Sequence, residues 1–575
     1  MCAQYFVLIG DRVARKIKKC IFINVYLMIL KKIFLYVYHK RFFMSVAIKT
    51  MTPMSYSIKV DAIKKRLSYF SDVSFLRNFY EHFQKVRDVE VGIVSNFPWC
   101  CYLAMKWKFC MKEKKPAKEM SKNDFIDIIN LIYNLQLEAS NLIVDDKVML
   151  SLRRMVINQL LYQSTDKFNA NSLTRQYIWY CLNDESYYKD KFLECTGLHL
   201  ESYYKMACYF TAISCINPDV ESEVIPFKHL IINLVPIFGP EQVKKFLELT
   251  CLKIDGVRDF IAPYKLDKNI TAEYYEDTPF LSKPMFLDGD GVVILCKRIM
   301  KSGFVNLVPE LFKQVYKESY KEKFGKTMEL YISRFLDKYN YNFKTEREVK
   351  KIYSDNAIKN CKSVDFVISE GDSIVYIDSK AIEPAKFVKT SNNAQLLKER
   401  LNKSFIKGIY QGQECAFNLN KIEMRKPSSK DSMLIVVHRD HHISNAMVVQ
   451  DFINPDLSTE LSEKYHSTPI DLKRIYYITI DEFELLLMMC KQKELSINEF
   501  IDMCVEKDSF PHTQKSNLSM HIYEFAPEGI DDDQLIVKGR DLLIDDVIEN
   551  MKESASKWSG KVDMYLKIKD YIFNW

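Results

Sequence analysis

Glycine and proline are scarce, at 15 and 17 among 575 residues. With 48% of residues hydrophobic by type and 13% aromatic, that scarcity excludes a disordered, collagen-like or linker protein. A large excess of one charge is also missing. Lys and Arg number 82 against 75 Asp and Glu, a net +7, which excludes a histone-like polycation. A polyanion partner then requires locally concentrated positive charge. No Cys-x-x-Cys pair occurs among the 15 cysteines, so neither a disulfide framework nor a zinc ribbon is indicated. Their odd number and their scatter through apolar stretches predict a reducing, cytoplasmic setting. Cys100, Cys101 and Cys110 lie near Trp99 and Trp107 without ligand spacing and read as core thiols. Gly-x-Ser-x-Gly, His-Glu-x-x-His and dinucleotide fingerprints are absent, as is any fixed repeat period.

What is present begins with an apolar run at residues 20–38, preceded by Arg12, Arg15, Lys16, Lys18 and Lys19. Lys31 and Lys32 interrupt it. Each would cost about 3 kcal/mol at the middle of a membrane span, and neither half reaches the roughly 20 apolar residues a crossing needs. An amphipathic membrane-surface segment is one reading. The favoured reading is an N-terminal extension over 1–50 that is not native, with Met44, Met51 and Met54 as alternative later starts, and no membrane partner.

The rest divides by texture into a mainly helical domain at 55–280, a linking hairpin and helix at 281–324, an α/β domain at 325–525 and a C-terminal tail with a helix at 526–575. In the helical part, Phe125, Ile128, Ile129, Ile132 and Leu135 share one face of a 3.6-residue period. The segments 147–163 and 201–216 behave likewise. Residues 105–118 carry six lysines with Trp107 and Phe109 between them. Such a mixture can bind a phosphate backbone and stack on bases, but an ordinary solvated helix face is the reading preferred here.

In the back half, helices at 307–324 and 325–339 precede strand-like runs at 341–353, 363–369, 373–380, 433–438 and 474–480, with a long helical stretch at 391–419. The order helix, three strands, helix, strand, strand predicts an α/β sheet with helices packed on it. Thr479 and Glu482 form a capping-box signature.

The chemistry concentrates in VDFVISEGDSIVYIDSK, residues 364–380. Gly371-Asp372 suits a two-residue hairpin turn. That turn pairs Glu370 with Ser373 and, counted outward, Asp365 with Asp378, whose Cβ atoms would lie ~5 Å apart. Lys380 shares the face of Asp378, while Phe366, Ile368, Val375 and Ile377 take the other. Two facing carboxylates repel and raise one another's pKa. Lys380 offsets one charge; a hard divalent cation offsets both and could activate a bound water against a phosphate. Glu329 borders the stripe of Met328, Ile332, Phe335 and Tyr339 and could reach the same sheet end. On the 391–419 helix, Arg400, Ser404, Lys407 and Gln411 follow i, i+4, i+7, i+11 and form one polar, basic stripe that could face a phosphate chain.

Glu329 in GKTMELYISRFL, Asp365, Asp378-Ser379-Lys380 and Gln411 in IKGIYQ resemble the motif set of the PD-(D/E)XK nuclease superfamily, the restriction-endonuclease-like fold. The resemblance covers roughly residues 325–485 and departs at Val364, where the family name has Pro. It implies an αβββαβ core with a mixed sheet and a Mg²⁺-dependent endonuclease in which Mn²⁺ substitutes. Asp365, Asp378 and the Ser379 carbonyl would hold the metal, with Glu329 acting directly or through water. Lys380 would orient and activate the nucleophile, and Gln411 would support the site. It further implies nucleic acid as partner, DNA ahead of RNA, and a setting in restriction or phage defence. Arg400, Lys407, His438 and Arg439 are the candidate nucleic-acid contacts. The helical domain could bind a partner protein, and a dimer is compatible with this build. The alternatives are a non-catalytic nucleic-acid-binding or regulatory protein on an inactive nuclease fold, and a protein-binding scaffold.

Three weaker signals are set aside. Phe324-Gly-Lys-Thr327 resembles the end of a phosphate loop, but Tyr320 stands where its first glycine belongs. Asp288-Gly289-Asp290-Gly291 lacks the flanking ligands of a calcium loop. His438-Arg-Asp-His-His442 follows a strand and could ligate a metal, although surface or substrate-contact histidines are the expected reading.

Overall fold

The computed structural model describes residues 53–84, 92–140, 148–163, 166–183, 186–289, 291–381, 385–425, 428–510, 513–526 and 530–573. The 1–50 extension, and the membrane question it raised, lie outside the described residues, as does Asp290. No helix of the described residues is long and apolar enough to cross a membrane. The chain is mostly helical with two small mixed sheets, a helical region plus an α/β region.

It divides into two compact units. The first holds the described residues of 1–144, 158–315 and 534–575, so the hairpin expected to link domains and the C-terminal tail both belong to it. Its helices pack around rings such as Phe75, Phe79, Tyr102 and Phe125. It also contains a four-stranded sheet, in which the expected hairpin supplies two strands and the helical texture concealed the other two. Strands β1 (Glu223–Pro226), β2 (Cys251–Lys253), β3 (Met285–Asp288) and β4 (Gly291–Ile294) lie in the order β1-β4-β3-β2.

The basic segment at 105–118 is not a solvated face at its helical end. Lys106 and Lys108 are buried within the helix Pro98–Cys110. Lys106 pairs with Glu273 at 2.9 Å and Glu276 at 3.1 Å. Lys108 pairs with Asp72 at 2.6 Å and donates to the Phe70 carbonyl at 2.6 Å. Trp107 and Phe109 are buried too, so neither ring is free to stack on a base.

The second unit comprises 145–157 and 316–533. A helix from the front half, α1 (Val148–Leu160), supplies its first ten residues to this unit. The long helix α2 (Lys297–Lys338) leaves helical geometry at Lys317, φ 45° and ψ −117°, close to the boundary between the units. Strands β5 (Phe343–Thr345), β6 (Phe366–Glu370), β7 (Ser373–Lys380), β8 (Ser432–Val437) and β9 (Ile475–Thr479) form one sheet in chain order. β5, β6 and β7 are antiparallel neighbours, and β7, β8 and β9 run parallel.

Two expected elements differ. The 341–353 run is a strand only over β5; from Glu346 to Asp355 it is helix α3, opened by a capping box between Thr345 and Glu348. Six of its ten residues are charged, and a helix can turn these to solvent while burying only Val349 and Tyr353. The 391–419 stretch is not one helix. It follows a separate short helix, Lys386–Thr390, and comprises Ala394–Leu401 and α4 (Phe405–Ile422), with Ser404 non-helical at φ −134°, ψ −82°. Arg400 and Lys407 therefore sit on different helices, and the four-residue polar stripe does not exist.

Helix α4 lies directly on the sheet. A Cβ on Gly412 would stand 2.2 Å from the Met433 Sδ, and one on Gly408 would stand 3.2 Å from an Asp378 carboxylate oxygen. Two glycines a turn apart thus let the helix backbone approach β7 and β8. At the far end of the β6–β7 hairpin, Glu370 accepts from the N–H groups of Ile497 and Asn498, both at 2.9 Å. These open the helix Ile497–Asp508, where negative charge is favoured. Arg425 donates to the Asp372 carbonyl at 2.9 Å.

Candidate active site

The hairpin has the register read from its turn. Glu370 pairs with Ser373 and Phe366 with Ile377, where the ladder ends; Asp365 lies one residue outside it, its carboxylate on Ser379, the residue after Asp378. Gly371 has φ 59°, the left-handed conformation such a turn demands. Asp378 and Lys380 share a face with Ile374 and Tyr376, and that face carries the core under α4.

The two acids are held differently. The Asp365 carboxylate accepts from both the Ser379 N–H and the Ser379 hydroxyl, each at 2.6 Å, and its backbone carbonyl accepts from the Glu346 N–H. Burial raises its pKa, and the Ser379 hydrogen bonds and Lys380 oppose that rise. Asp378 is 1% exposed and pairs with the Lys380 ammonium. Burial pushes its carboxyl up to about 7, with a further push from Asp365, against the pull of Lys380 and Lys407. Glu329 keeps solvent contact, yet partial burial, Asp365 and Glu346 raise it to about 7, opposed by Lys380 and Lys326. Carboxyls of this kind, each displaced by burial and by like charge, are common at functional sites.

Glu346 was not anticipated. It is the first residue of α3, accepts from the Ser363 hydroxyl at 3.2 Å, and pairs with Lys350 at 2.7 Å. Its charge acts on both Glu329 and Asp365. The capping box two residues into this helix was readable, but Glu346 faces the site only because β5 returns beside β6.

Gln411 lies in α4 and donates to the Ser363 carbonyl at 3.3 Å, while its Oε1 is buried with no hydrogen-bond donor among the described residues. Among these residues no three His, Cys, Asp or Glu side chains are gathered as a metal cluster. The donor chemistry nonetheless suits a hard cation. Three carboxyls, Asp365, Asp378 and Glu329, are raised, by burial first and then by neighbouring acids, and an amide oxygen near Ser363 is left without a donor among the described residues. A divalent ion bound by oxygens relieves such an imbalance.

The outlying candidates scatter. Lys407 is exposed on α4 and its charge reaches Asp378. Arg400 is exposed on the preceding helix, 4.9 Å over the Phe387 ring. His438 is buried rather than on the surface, with its ring 4.8 Å from Phe324 and its N–H donating to the Lys380 carbonyl at 3.4 Å. Arg439 is half-buried. The remaining histidines of that loop do not converge on a metal. His441 packs 4.0 Å from the Phe405 ring with Nδ1 on the Arg439 carbonyl, whereas His442 Nδ1 pairs with Asp440 at 3.1 Å.

Comparison of the chain with protein-family models, with curated proteins and with solved structures finds no match.

Proposed function

We propose that the chain is a divalent-cation-dependent nuclease and that its second unit is a restriction-endonuclease-like catalytic core. One observation carries the reading: at the open end of the hairpin the Asp365 carboxylate accepts from Ser379, and its charge acts on the neighbouring Asp378, which pairs with Lys380. Glu329 and Gln411 reach that end from the helices on either side in sequence, in the order the resemblance requires.

Asp365, Asp378 and the Ser379 carbonyl would hold Mg²⁺ or Mn²⁺, and Glu329 is placed to assist directly or through water. When bound, the ion supplies polarisation of a phosphate oxygen and a more acidic water. The protein's own groups do the rest. Lys380 Nζ orients the attacking water in line with phosphorus. Glu329, raised to about 7, can hold or release a proton near neutrality. Lys407, exposed on α4, offers positive charge to the neighbouring phosphates, and the leaving 3′ oxygen takes its proton from solvent. DNA stands ahead of RNA as substrate, and restriction or phage defence is the setting the resemblance implies.

Full-length protein with Mg²⁺ or Mn²⁺ is expected to nick supercoiled plasmid. Lys380→Ala should slow cutting by roughly two to four orders of magnitude, the range for a positioned proton-transfer group, while the protein still folds. Undiminished cutting by that variant refutes the assignment. A second reading, nucleic-acid binding without cleavage, is favoured by the Lys380–Asp378 pair, which already neutralises one carboxylate. It predicts salt-sensitive binding and no cation-dependent cutting.

A further inference from the structure

We propose that Arg153 is a positioning residue for this site, fastening the chain segments that leave β7 and β8 and, through them, the start of α4. The inference rests on the nuclease reading for its kinetic consequence and on contacts within the second unit for its physical basis.

β7 and β8 are parallel and paired as far as Lys380 and Val437. Parallel strands leave a sheet on the same side, and here their exits are the helix Lys386–Thr390 and the loop 438–442. Arg153 reaches both. Its Nε donates to the His441 carbonyl at 2.7 Å and its Nη1 to the Val388 carbonyl at 2.9 Å. The two exits are thereby held by one rigid, planar group whose donors have a fixed geometry.

The contact continues into the site. The His441 ring lies 4.0 Å from the Phe405 ring, and Phe405 stacks on Tyr477 at 4.1 Å. Phe405 is the first residue of α4, three residues before Gly408, whose backbone abuts Asp378. On the β8 side, the N–H of His438 donates to the carbonyl of Lys380. Arg153 therefore bears on both members of the Lys380–Asp378 pair without touching either. Neighbouring contacts hold α1 to the same place: Leu150 joins the core under the sheet, and Ser151 accepts from Asn392 at 3.0 Å.

A packing role alone does not call for a guanidinium. The group is fully buried with no ion pair at 4 Å or less among the described residues, and burial draws its pKa down to about 10 with only Asp440 opposing. A buried charge held by two carbonyls is unfavourable relative to an apolar side chain of similar volume. What it provides in return is a fixed spacing between two loops. Its charge also faces the loop's histidines: burial first, then Arg153, lowers His441 to about 3, and Arg153 and Lys389 help lower His442 against Asp440.

The test uses the full chain with Arg153→Met and Arg153→Lys. For Arg153→Met, kcat on plasmid with Mg²⁺ should fall roughly ten- to hundredfold, the cost of a small misplacement. KM should stay within about twofold, because no substrate contact is lost. Arg153→Lys, which keeps the charge and can still reach one carbonyl, should recover part of the rate. Hydrogen exchange read by mass spectrometry should quicken over 386–390 and 438–442 in Arg153→Met, whether or not the protein cuts nucleic acid. If wild-type protein cuts nothing, the nuclease reading fails while the exchange result still decides the fastening role. Native exchange and native kcat in Arg153→Met overturn the proposal. So does a raised KM with kcat intact, which would make Arg153 a substrate contact. Should Arg153→Met fail to fold, a folded Arg153→Lys with wild-type kcat overturns it, and a partial loss of kcat supports it.

Discussion

Both units bury charge, and they treat it in opposite ways. In the first unit several buried cations meet acids. Lys106 lies between Glu273 and Glu276, Lys297 pairs with Glu223 at 3.0 Å, and Asp72 receives both Lys108 and Arg258. At the hairpin end of the second unit, acids meet acids: Asp365, Asp378, Glu329 and Glu346 share one neighbourhood, and Lys380 pairs with only one of them. Alternating signs make a self-sufficient interior. An accumulation of one sign costs the free protein stability, and such a cost is tolerated where a ligand or a reaction uses it.

The sharpest way to break that contrast is to empty one side of each arrangement. Lys106→Ala strands Glu273, and losing one partner of a buried pair typically costs about 3–5 kcal/mol. Urea unfolding should report that loss, and a near-neutral result would place the first unit's charges on the surface in energetic terms. Asp378→Asn should act in the reverse direction. A carboxyl at 3.8 unfolded and about 7 folded leaves the native state holding the extra proton between those values, so stability falls as pH rises from 4 to 7. Removing the acid should therefore stabilise the chain at pH 7 by up to about 4 kcal/mol and do little at pH 4. Equal effects at the two pH values would contradict the strain assigned to this site, and added Mg²⁺ should narrow the difference. The smallest effect is steric. Gly412→Ala forces the flexible Met433 side chain aside and should cost about 1–3 kcal/mol in the same denaturation assay, with the pH profile unchanged.

The sequence carried the hairpin further than any other part. A Gly-Asp bend between two alternating apolar runs defines which residues oppose one another, because side chains in a strand change face at every step. Asp365, Asp378 and Lys380 were legible for that reason. The helix at 346–355 was not, although its capping residues are local, because Tyr341, Phe343 and Tyr353 also suit a strand. The break at Ser404 has no proline or glycine to announce it. Lys106 and Lys108 looked like a surface patch because the acids that bury them at 72, 273 and 276 are distant in sequence. Arg153 was invisible for the same reason: its carbonyl partners lie 235 and 288 residues away.

The closed end of the hairpin is anchored at both of its acids. Glu370 is moored to the helix Ile497–Asp508 and Asp372 to Arg425, so neither strand can slip past the other without uprooting one of these anchors. Because a one-residue slip would send every side chain to the opposite surface of the sheet, the alignment of the reactive groups is governed by a bend several residues away from them. An extra residue inserted at that bend would not loosen the centre by degrees. It would turn part of it inside out.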